Sequence, residues 1–237
     1  MKRILLMVIR NIFILPFWLI RLQQLCNIEK YDAKTRYAFL HRITPIVNRR
    51  GRVKIECHGI ENLPAKTGYI IFPNHQGLFD ALAFLETHER PFVTVMKKEV
   101  KNVFLLKQII HILQAEIIDR EDVRQSMQVI MNMTRRVKEG ENFIIFAEGT
   151  RSKNGNRLGE FKGGSFKSAM NAKCPIVPVA LIDSFKAFDT RSIKKLAVQI
   201  HYLPPLYYED YQGMKSTEIA ELVASRITET IEKNIRS

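Results

Sequence analysis

The sequence predicts an α/β fold: a mixed, largely parallel sheet covered by helices, preceded by an N-terminal two-helix motif that associates with a membrane. Short apolar or alternating runs recur between segments of helical periodicity, and this alternation favours a sheet with helices packed on it. The first 50 residues are instead strongly apolar and basic. We therefore predict membrane-anchoring helices in residues 1–50 and one α/β domain in residues 51–237, with the boundary between Arg50 and Gly51.

The N-terminal apolar run covers residues 4–20 and is flanked by basic residues. A signal peptide is disfavoured because no small-residue cleavage site follows. A spanning helix needs about 20 apolar residues, whereas Arg10 lies within this run and Pro16 would kink it. We favour a helix in the membrane interface, with Trp18 near the headgroups and basic residues towards anionic lipid. A spanning helix and a buried core helix remain the alternatives.

The remaining elements follow in chain order. A second N-terminal helix is predicted over residues 33–47, where apolar residues are interspersed with arginines. Apolar or alternating runs predict strands at residues 53–57, 68–72, 92–96, 117–118, 142–147, 176–182 and 196–202. Helical periodicity predicts helices at residues 123–137, stopping at Gly140, at residues 165–172, and along a C-terminal apolar stripe from Ile219 to Ile235.

The charge balance indicates an anionic partner. Lysine and arginine number 37 against 24 acidic residues, a formal net charge of +13. Nucleic acid is disfavoured, since the chain carries no helix-turn-helix, zinc-finger or RNA-binding strand signature. An acidic membrane surface or a phosphorylated substrate fits better. The three cysteines lie far apart and are odd in number, which favours a reducing, cytosol-facing location.

His75 and Asp80 are the leading catalytic candidates. Both follow the apolar run that ends at Phe72, and a strand end is a rigid place to hold a reactive side chain. A histidine oriented by a carboxylate is a general base. The alternative is a purely structural role, with the histidine at a helix start and the aspartate in the first turn of that helix.

Polar clusters also follow three later strands, and ligands of α/β proteins bind beyond strand ends. They contain Asp119-Arg120, Glu148-Gly149-Thr150-Arg151-Ser152 and the proline-centred run Val177-Pro178-Val179. Arg151 offers a planar fork to a phosphate, Thr150 and Ser152 offer hydroxyls, and Gly149 permits a sharp turn. A capped turn with a solvated arginine is the alternative for the Glu148–Ser152 cluster. Ordinary surface charge is the alternative for Lys98, and a surface ion pair with Asp119 or Glu121 is the alternative for Arg120.

Other chemistries lack their signatures. No serine or cysteine lies in a nucleophile-elbow motif, no metal-ligand spacing occurs, and no phosphate-binding glycine loop of the G-x4-G-K type is present. One base and several cations therefore favour direct attack by the hydroxyl of a phosphorylated substrate, without a covalent enzyme intermediate.

These residues resemble the glycerophospholipid acyltransferase family, whose four ordered blocks are matched between residues 53 and 205. The matching blocks are Asn74-His75-x4-Asp80, Ile117-Ile118-Asp119-Arg120, Phe146-x-Glu148-Gly149-Thr150-Arg151-Ser152 and Ile176-Val177-Pro178-Val179. Lys98-Glu99-Val100 and Phe161-Lys162-x-Gly164 resemble two further family segments. The second block differs, because the family usually has a glycine shortly before Asp119, where this chain reads Gln114-Ala115-Glu116.

The resemblance implies an acyltransferase domain in residues 51–237 that moves an acyl group from a thioester to the sn-2 hydroxyl of lysophosphatidic acid. It implies that His75 deprotonates the hydroxyl and that Asp80 holds the imidazole. The implied substrate-binding residues are Asn74, Lys98, Arg120, Glu148, Gly149, Thr150, Arg151 and Ser152. It implies no metal or cofactor, acyl-CoA or acyl carrier protein as co-substrate, and a peripheral or monotopic cell-membrane location with the site facing the cytoplasm.

Two alternative functions remain at this point. The acceptor is another molecule, such as glycerol 3-phosphate or a lysophospholipid with a headgroup, or the chain is a non-catalytic protein that binds anionic lipid. The sequence does not predict the acyl donor, the chain length or the oligomeric state.

Overall fold

The computed structural model describes residues 2–98, 106–119 and 122–235. Its α-helices are α1 (Lys2–Asn11), α2 (Leu15–Leu25), α3 (Ala33–Arg50), α4 (Phe79–Thr87), α5 (Leu106–Ile112), α6 (Val123–Lys138), α7 (Lys167–Ala172), α8 (Tyr208–Tyr211) and α9 (Ser216–Asn234). Its strands are β1 (Val53–His58), β2 (Ile70–Pro73), β3 (Phe92–Lys97), β4 (Glu116–Ile118), β5 (Asn142–Ile144), β6 (Ile176–Ile182) and β7 (Leu196–Tyr202). Short 3₁₀ turns include Gly163–Phe166 and Ser184–Ala187.

The strands form one sheet in the order β1-β7-β6-β2-β5-β3-β4. Neighbouring strands are parallel except β6 and β7, which are antiparallel. The predicted mixed, largely parallel sheet is therefore confirmed. Because β2, β5 and β6 run in the same direction, their carboxyl ends meet at one edge of the sheet, where ligands of α/β proteins bind.

Helices cover both faces of the sheet. Side chains alternate across each strand, so Ile70 and Phe72 face one core cluster while Tyr69 and Ile71 face the other. The first cluster takes its α-helical residues from α6, α7, α8 and α9, and the second from α2, α3, α4 and α5. Strand β6 is buried along its whole length, which explains its unbroken apolar sequence.

The N-terminal apolar run forms two helices instead of one. Helices α1 and α2 are bent by 95° at a short break, and Pro16 lies in the first turn of α2, where a missing N–H costs least. Trp18 is only 8% exposed, because its side chain packs largely against the protein, and its place near lipid headgroups stays a prediction. Among the described helices no single one is both long and apolar enough to cross a membrane; α1 and α2 taken together are.

Arg3 connects α1 to the α/β domain through hydrogen bonds. Its guanidinium is buried and donates to the carbonyl oxygens of Ala187 (3.1 Å), Gly51 (2.7 Å), Ser192 (3.1 Å) and Lys194 (3.0 Å), with a longer contact to Arg52 (3.4 Å). Burial lowers the pKa of this guanidinium. The expectation that the basic residues of this run face anionic lipid is therefore wrong for Arg3, which satisfies backbone carbonyls far along the chain.

Helix α3 packs directly on α4. Tyr37 donates to the carbonyl of His88 (2.5 Å), and Asn48 donates to the Glu86 carboxylate (2.6 Å). Tyr37 and Leu40 belong to the core cluster beneath the sheet. Helix α3 thus stabilises the α/β domain, while the boundary between Arg50 and Gly51 stays a prediction.

The other differences are local. Strand β5 ends at Ile144 instead of residue 147; the Ile145 N–H still donates to the carbonyl of Ile71 (2.9 Å), and a turn closed by Gly149 N–H and the carbonyl of Phe146 (3.0 Å) follows. Ile235 lies beyond α9 and is exposed, so the apolar stripe ends at Ile231. Helices α4, α5 and α8 were not predicted. Gln114 adopts a left-handed backbone (φ +48°), the conformation for which glycine is best suited, at the place where the family usually has one.

Candidate active site

Segments that follow β2, β5 and β6 converge at the carboxyl edge of the sheet. The chain leaves β2 at Pro73 and enters α4 at Phe79, so residues 74–78 form a tight strand-to-helix turn. The backbone N–H of Ser152, beyond β5, donates to the carbonyl of His75 (2.8 Å). The Ser184 hydroxyl, beyond β6, donates to Asp80 (2.5 Å). The predicted cluster after β5 is thus brought to His75, together with Ser184, which was not predicted. The run Val177-Pro178-Val179 lies within β6 instead of following it, and the place of the Asp119-Arg120 cluster at the site stays a prediction.

His75 and Asp80 form a hydrogen-bonded pair. His75 Nδ1 lies 2.8 Å from Asp80 Oδ2, and the two side chains are 26% and 1% exposed. Because an ionised carboxylate only accepts hydrogen bonds, Nδ1 donates and a neutral ring keeps its acceptor at Nε2. The His75 ring also lies against Phe146, with centroids 4.2 Å apart. This pair meets the geometric requirement for a general base.

Both oxygens of the Asp80 carboxylate accept hydrogen bonds. Besides His75, its Oδ2 accepts the backbone N–H groups of Gln76 (2.8 Å) and Gly77 (3.0 Å), and its Oδ1 accepts the Ser184 hydroxyl. Asp80 also lies in the first turn of α4, where the helix dipole stabilises negative charge. Its position and charge are therefore fixed before any substrate binds.

Glu148 holds the backbone of His75. Its Oε1 accepts the His75 N–H (2.7 Å) and its Oε2 accepts the Gly159 N–H (2.9 Å). Gly159 is required here, because an added Cβ would lie 2.6 Å from Oε2. Burial raises the pKa of Glu148, and the two backbone donors oppose that shift. The sequence predicts a substrate contact for Glu148, whereas each of its two carboxylate oxygens accepts a backbone N–H in the structure.

Asn74 is likewise used internally. Its side chain donates to the carbonyl of Leu181 (3.0 Å) and accepts the Leu181 N–H (2.7 Å), and it is buried. The carboxamide thus continues the pairing of β2 with β6 beyond Pro73, the last paired residue of β2. The sequence placed Asn74 correctly beside His75, but its polar atoms stabilise the strand end instead of facing a substrate.

The residues after Glu148 differ in what they present. Gly149 is buried with φ +77°, a conformation that side chains disfavour, so its place at this turn needs glycine. Thr150 is exposed. The Ser152 hydroxyl donates to the carbonyl of Arg157 (2.7 Å), so it closes its own loop and does not match the predicted substrate contact.

Two of the predicted cations lie near carboxylates. Arg151 Nη1 is 3.3 Å from Asp189 Oδ1, with both side chains about half exposed at 49% and 44%. Lys98 Nζ lies 2.7 Å from Asp119 Oδ2. Partly exposed ion pairs of this kind contribute little stability. Arg120, Glu99 and Val100 lie outside the described residues.

Sequence reasoning missed three residues of the site. Ser184 binds Asp80, Gln76 accepts the backbone N–H groups of Ser184 (2.8 Å) and Phe185 (3.3 Å), and Asp189 faces Arg151. Polar residues just after the buried β6 run are the one signal that points to Ser184. Within the part of the chain that the structure describes, no group of three or more His, Cys, Asp or Glu side chains is arranged to hold a metal ion.

Comparison with known proteins agrees with this geometry. Residues 54–182 match the family model described as "Acyltransferase". A 1-acyl-sn-glycerol-3-phosphate acyltransferase of Borreliella burgdorferi is 27% identical over 182 residues, covering 76% of this chain and 72% of that protein. A probable enzyme of the same name from Mycoplasma pneumoniae is 24% identical, covering 85% and 80%.

A plant relative and a solved structure extend the comparison. The 1-acyl-sn-glycerol-3-phosphate acyltransferase of Cocos nucifera is 30% identical over 162 residues, covering 67% of this chain and 52% of its own. The crystal structure of the 1-acyl-sn-glycerophosphate (LPA) acyltransferase PlsC from Thermotoga maritima superposes over the whole of both chains with a TM-score of 0.79. At 20% identity, that similarity establishes the shared fold.

Proposed function

The chain belongs to the acyltransferase family, and from this premise we propose that it transfers a fatty acyl group to the sn-2 hydroxyl of 1-acyl-sn-glycerol 3-phosphate. The product is phosphatidic acid, the precursor of membrane phospholipids. The observation that carries the proposal is the His75–Asp80 pair, with a buried, fully bonded carboxylate and a partly exposed imidazole. The names of the relatives support this acceptor.

The reaction follows from the free acceptor atom of His75. Nε2 takes the proton of the sn-2 hydroxyl while the hydroxyl oxygen attacks the thioester carbonyl carbon. The tetrahedral intermediate then expels the thiolate, which receives the proton from the imidazolium. One C–O bond forms, one C–S bond breaks, and the base is regenerated. Asp80 stabilises the transient positive charge on the ring. Acyl-CoA or acyl carrier protein supplies the thioester, and no metal or bound cofactor takes part.

The substrate phosphate binds the cations beside this pair. Arg151 and Lys98 come from the ends of β5 and β3, the same sheet edge as His75, and Arg120 follows β4 in sequence. The Asp189 and Asp119 carboxylates hold two of these cations in the free enzyme. A phosphate with two negative charges displaces such half-exposed partners at small cost.

Arg151→Ala tests the phosphate assignment. We expect KM for 1-acyl-sn-glycerol 3-phosphate to rise about tenfold, the loss of one charge-assisted hydrogen bond, with kcat little changed. Steady-state kinetics with saturating donor measure both constants. Lys153→Ala, which removes an exposed cation two residues away, is the matched control. An unchanged KM in Arg151→Ala would remove this arginine from the acceptor site.

We place the chain on the cell membrane as a peripheral or monotopic protein whose site faces the cytoplasm. The apolar surface of α1, α2 and their connection supports the contact with the membrane. Large exposed side chains gather there, among them Leu5 (60%), Ile9 (56%), Phe13 (93%) and Phe17 (71%). An apolar patch of this kind marks an interaction surface. Extraction from membranes by high salt without detergent would contradict a monotopic anchor and leave only peripheral attachment.

Another acceptor is the nearest alternative. An assay over 1-acyl-sn-glycerol 3-phosphate, glycerol 3-phosphate and headgroup-bearing lysophospholipids, scored by thiol release, distinguishes these acceptors. Binding to anionic vesicles with no thiol release from any donor would instead favour a non-catalytic lipid-binding protein.

A further inference from the structure

We propose that Ser184 is a positioning residue of the acyl-transfer reaction, acting through Asp80. This inference rests on the proposed function. Ser184 and Asp80 are both fully buried (0% exposed), and the Ser184 hydroxyl lies 2.5 Å from Asp80 Oδ1. The other carboxylate oxygen is used by His75 and two backbone N–H groups. Ser184 therefore fixes the rotation of the carboxylate that orients the base.

The segment that carries Ser184 is itself fixed at both ends. Gln76, from the turn before α4, accepts the backbone N–H of Ser184 at 2.8 Å. At the other end of the 3₁₀ turn, the carbonyl of Ala187 accepts from Arg3 at 3.1 Å. The hydroxyl is thus held in place independently of substrate, as a positioning group must be.

A double-mutant cycle with Asp80 tests the proposal. Ser184→Ala is expected to lower kcat by about ten- to a hundredfold, the loss of one hydrogen bond to a buried charge, with KM for both substrates little changed. Ser184→Thr, which keeps the hydroxyl, restores most of the rate. Because Ser184 acts through Asp80, Ser184→Ala has little further effect on the residual rate of Asp80→Asn. Ser168→Ala, another buried serine, is the control.

The outcomes separate this inference from the proposed function. Suppose that His75→Ala abolishes transfer but Ser184→Ala leaves kcat unchanged; Ser184 is then not a positioning residue, and the proposed function stands. The same conclusion follows if Ser184→Ala lowers the rate of Asp80→Asn by the same factor as it lowers the wild-type rate. If the wild-type chain transfers no acyl group, the proposed function fails first.

An independent observation concerns the groove where α1 bends into α2. We infer that it binds an anionic glycerophospholipid, with the phosphate on Arg10 and Arg50 and an acyl chain along the aromatic wall. The groove is lined by Arg10, Phe13, Ile14, Phe17, Trp18 and Arg50. Its lining is mainly apolar apart from the two arginines, which matches a lipid with one charged end.

Each of the two arginines donates a hydrogen bond to the backbone carbonyl of the other. Arg10 donates to the carbonyl of Arg50 (3.1 Å), and Arg50 donates to the carbonyl of Arg10 (3.0 Å). Among the described residues neither lies within ion-pair distance of a carboxylate, and the sequence has no acidic residue before Glu29. Each guanidinium has five N–H donors, so donors remain for a phosphate between them.

Trp18, the single tryptophan of the chain, reports on this groove. The full chain is reconstituted in phosphatidylcholine bilayers containing a minor fraction of chain-brominated phosphatidylglycerol or chain-brominated phosphatidylcholine, and quenching of Trp18 is measured. We expect the anionic lipid to quench at about thirtyfold lower mole fraction, as about 1 kcal/mol for each of the two cations implies. Arg10→Gln with Arg50→Gln abolishes this preference, whereas Arg49→Gln, which removes an exposed neighbouring charge, retains it.

Equal quenching by the two lipids in the wild type would overturn the inference. So would a preference that survives in the double variant, because general surface charge would then explain it. A preference lost equally in Arg49→Gln contradicts a specific site as well.

Discussion

His75→Ala is expected to lower the rate of acyl transfer by about two to four orders of magnitude, the usual contribution of a general base. The fold should survive, since the ring is partly exposed and its hydrogen-bonded partner Asp80 keeps three other donors. Initial rates of phosphatidic acid formation measure the loss, and the thermal unfolding midpoint checks the fold.

His58→Ala is the matched control for this substitution. His58 is an exposed histidine at the end of β1, on a strand that contributes nothing to the site, so its loss should leave the rate unchanged. Asp80→Asn should lower kcat as well, because an amide cannot accept the four hydrogen bonds that the buried carboxylate receives. Wild-type turnover in His75→Ala would mean that another group is the base.

Arg3→Met is expected to produce the largest loss of stability. It leaves the buried carbonyls of Gly51 and Ala187 without this donor, each costing about 1–3 kcal/mol, whereas the carbonyls of Ser192 and Lys194 are only partly buried and can bind water. A total loss of about 3 kcal/mol would lower the unfolding midpoint by roughly 6–12 °C for a chain of this size. Methionine keeps the helix propensity of α1, so the effect reports on the lost hydrogen bonds.

Lys2→Met is the control that separates the loss of the Arg3 hydrogen bonds from a simple loss of positive charge. Lys2 is exposed and is the neighbouring cation on α1, so its replacement should leave the midpoint in detergent almost unchanged. Limited proteolysis completes the test, because Arg3→Met can also release α1 alone. An Arg3→Met protein with a wild-type midpoint and wild-type protection of α1 would contradict the proposed role of this residue.

The sequence predicted the sheet and the His75–Asp80 pair because both depend on local patterns. Strand β6 is recognisable from its apolar run alone, and His75 with Asp80 from their position after a buried strand. Glu148 and Asn74 lie beside His75, but the sequence did not reveal the backbone groups that their side chains bind, and their contact with a substrate stays a prediction. A motif shows that residues cluster, whereas the direction of a carboxylate or carboxamide depends on backbone groups such as Gly159 and Leu181.

Longer-range contacts explain what sequence reasoning missed. Arg3 lies in an apolar, basic run that is typical of a membrane-facing helix, yet its acceptors lie about 50 and 190 positions away. Ser184 follows β6 without any spacing that marks it as part of a catalytic pair. Both roles depend on the folded chain, in which residues 184–194 lie between α1 and the turn before α4.

The most direct test of acyl transfer by the His75–Asp80 pair follows two products in one reaction. Wild-type protein and His75→Ala are incubated with 1-acyl-sn-glycerol 3-phosphate and either acyl-CoA or acyl carrier protein, and free thiol and phosphatidic acid are measured together. We predict that wild type forms the two products in equal amounts with at least one donor, with the new acyl group at sn-2, and that His75→Ala forms almost none. Thiol release without phosphatidic acid, or equal rates in the two proteins, would contradict the account.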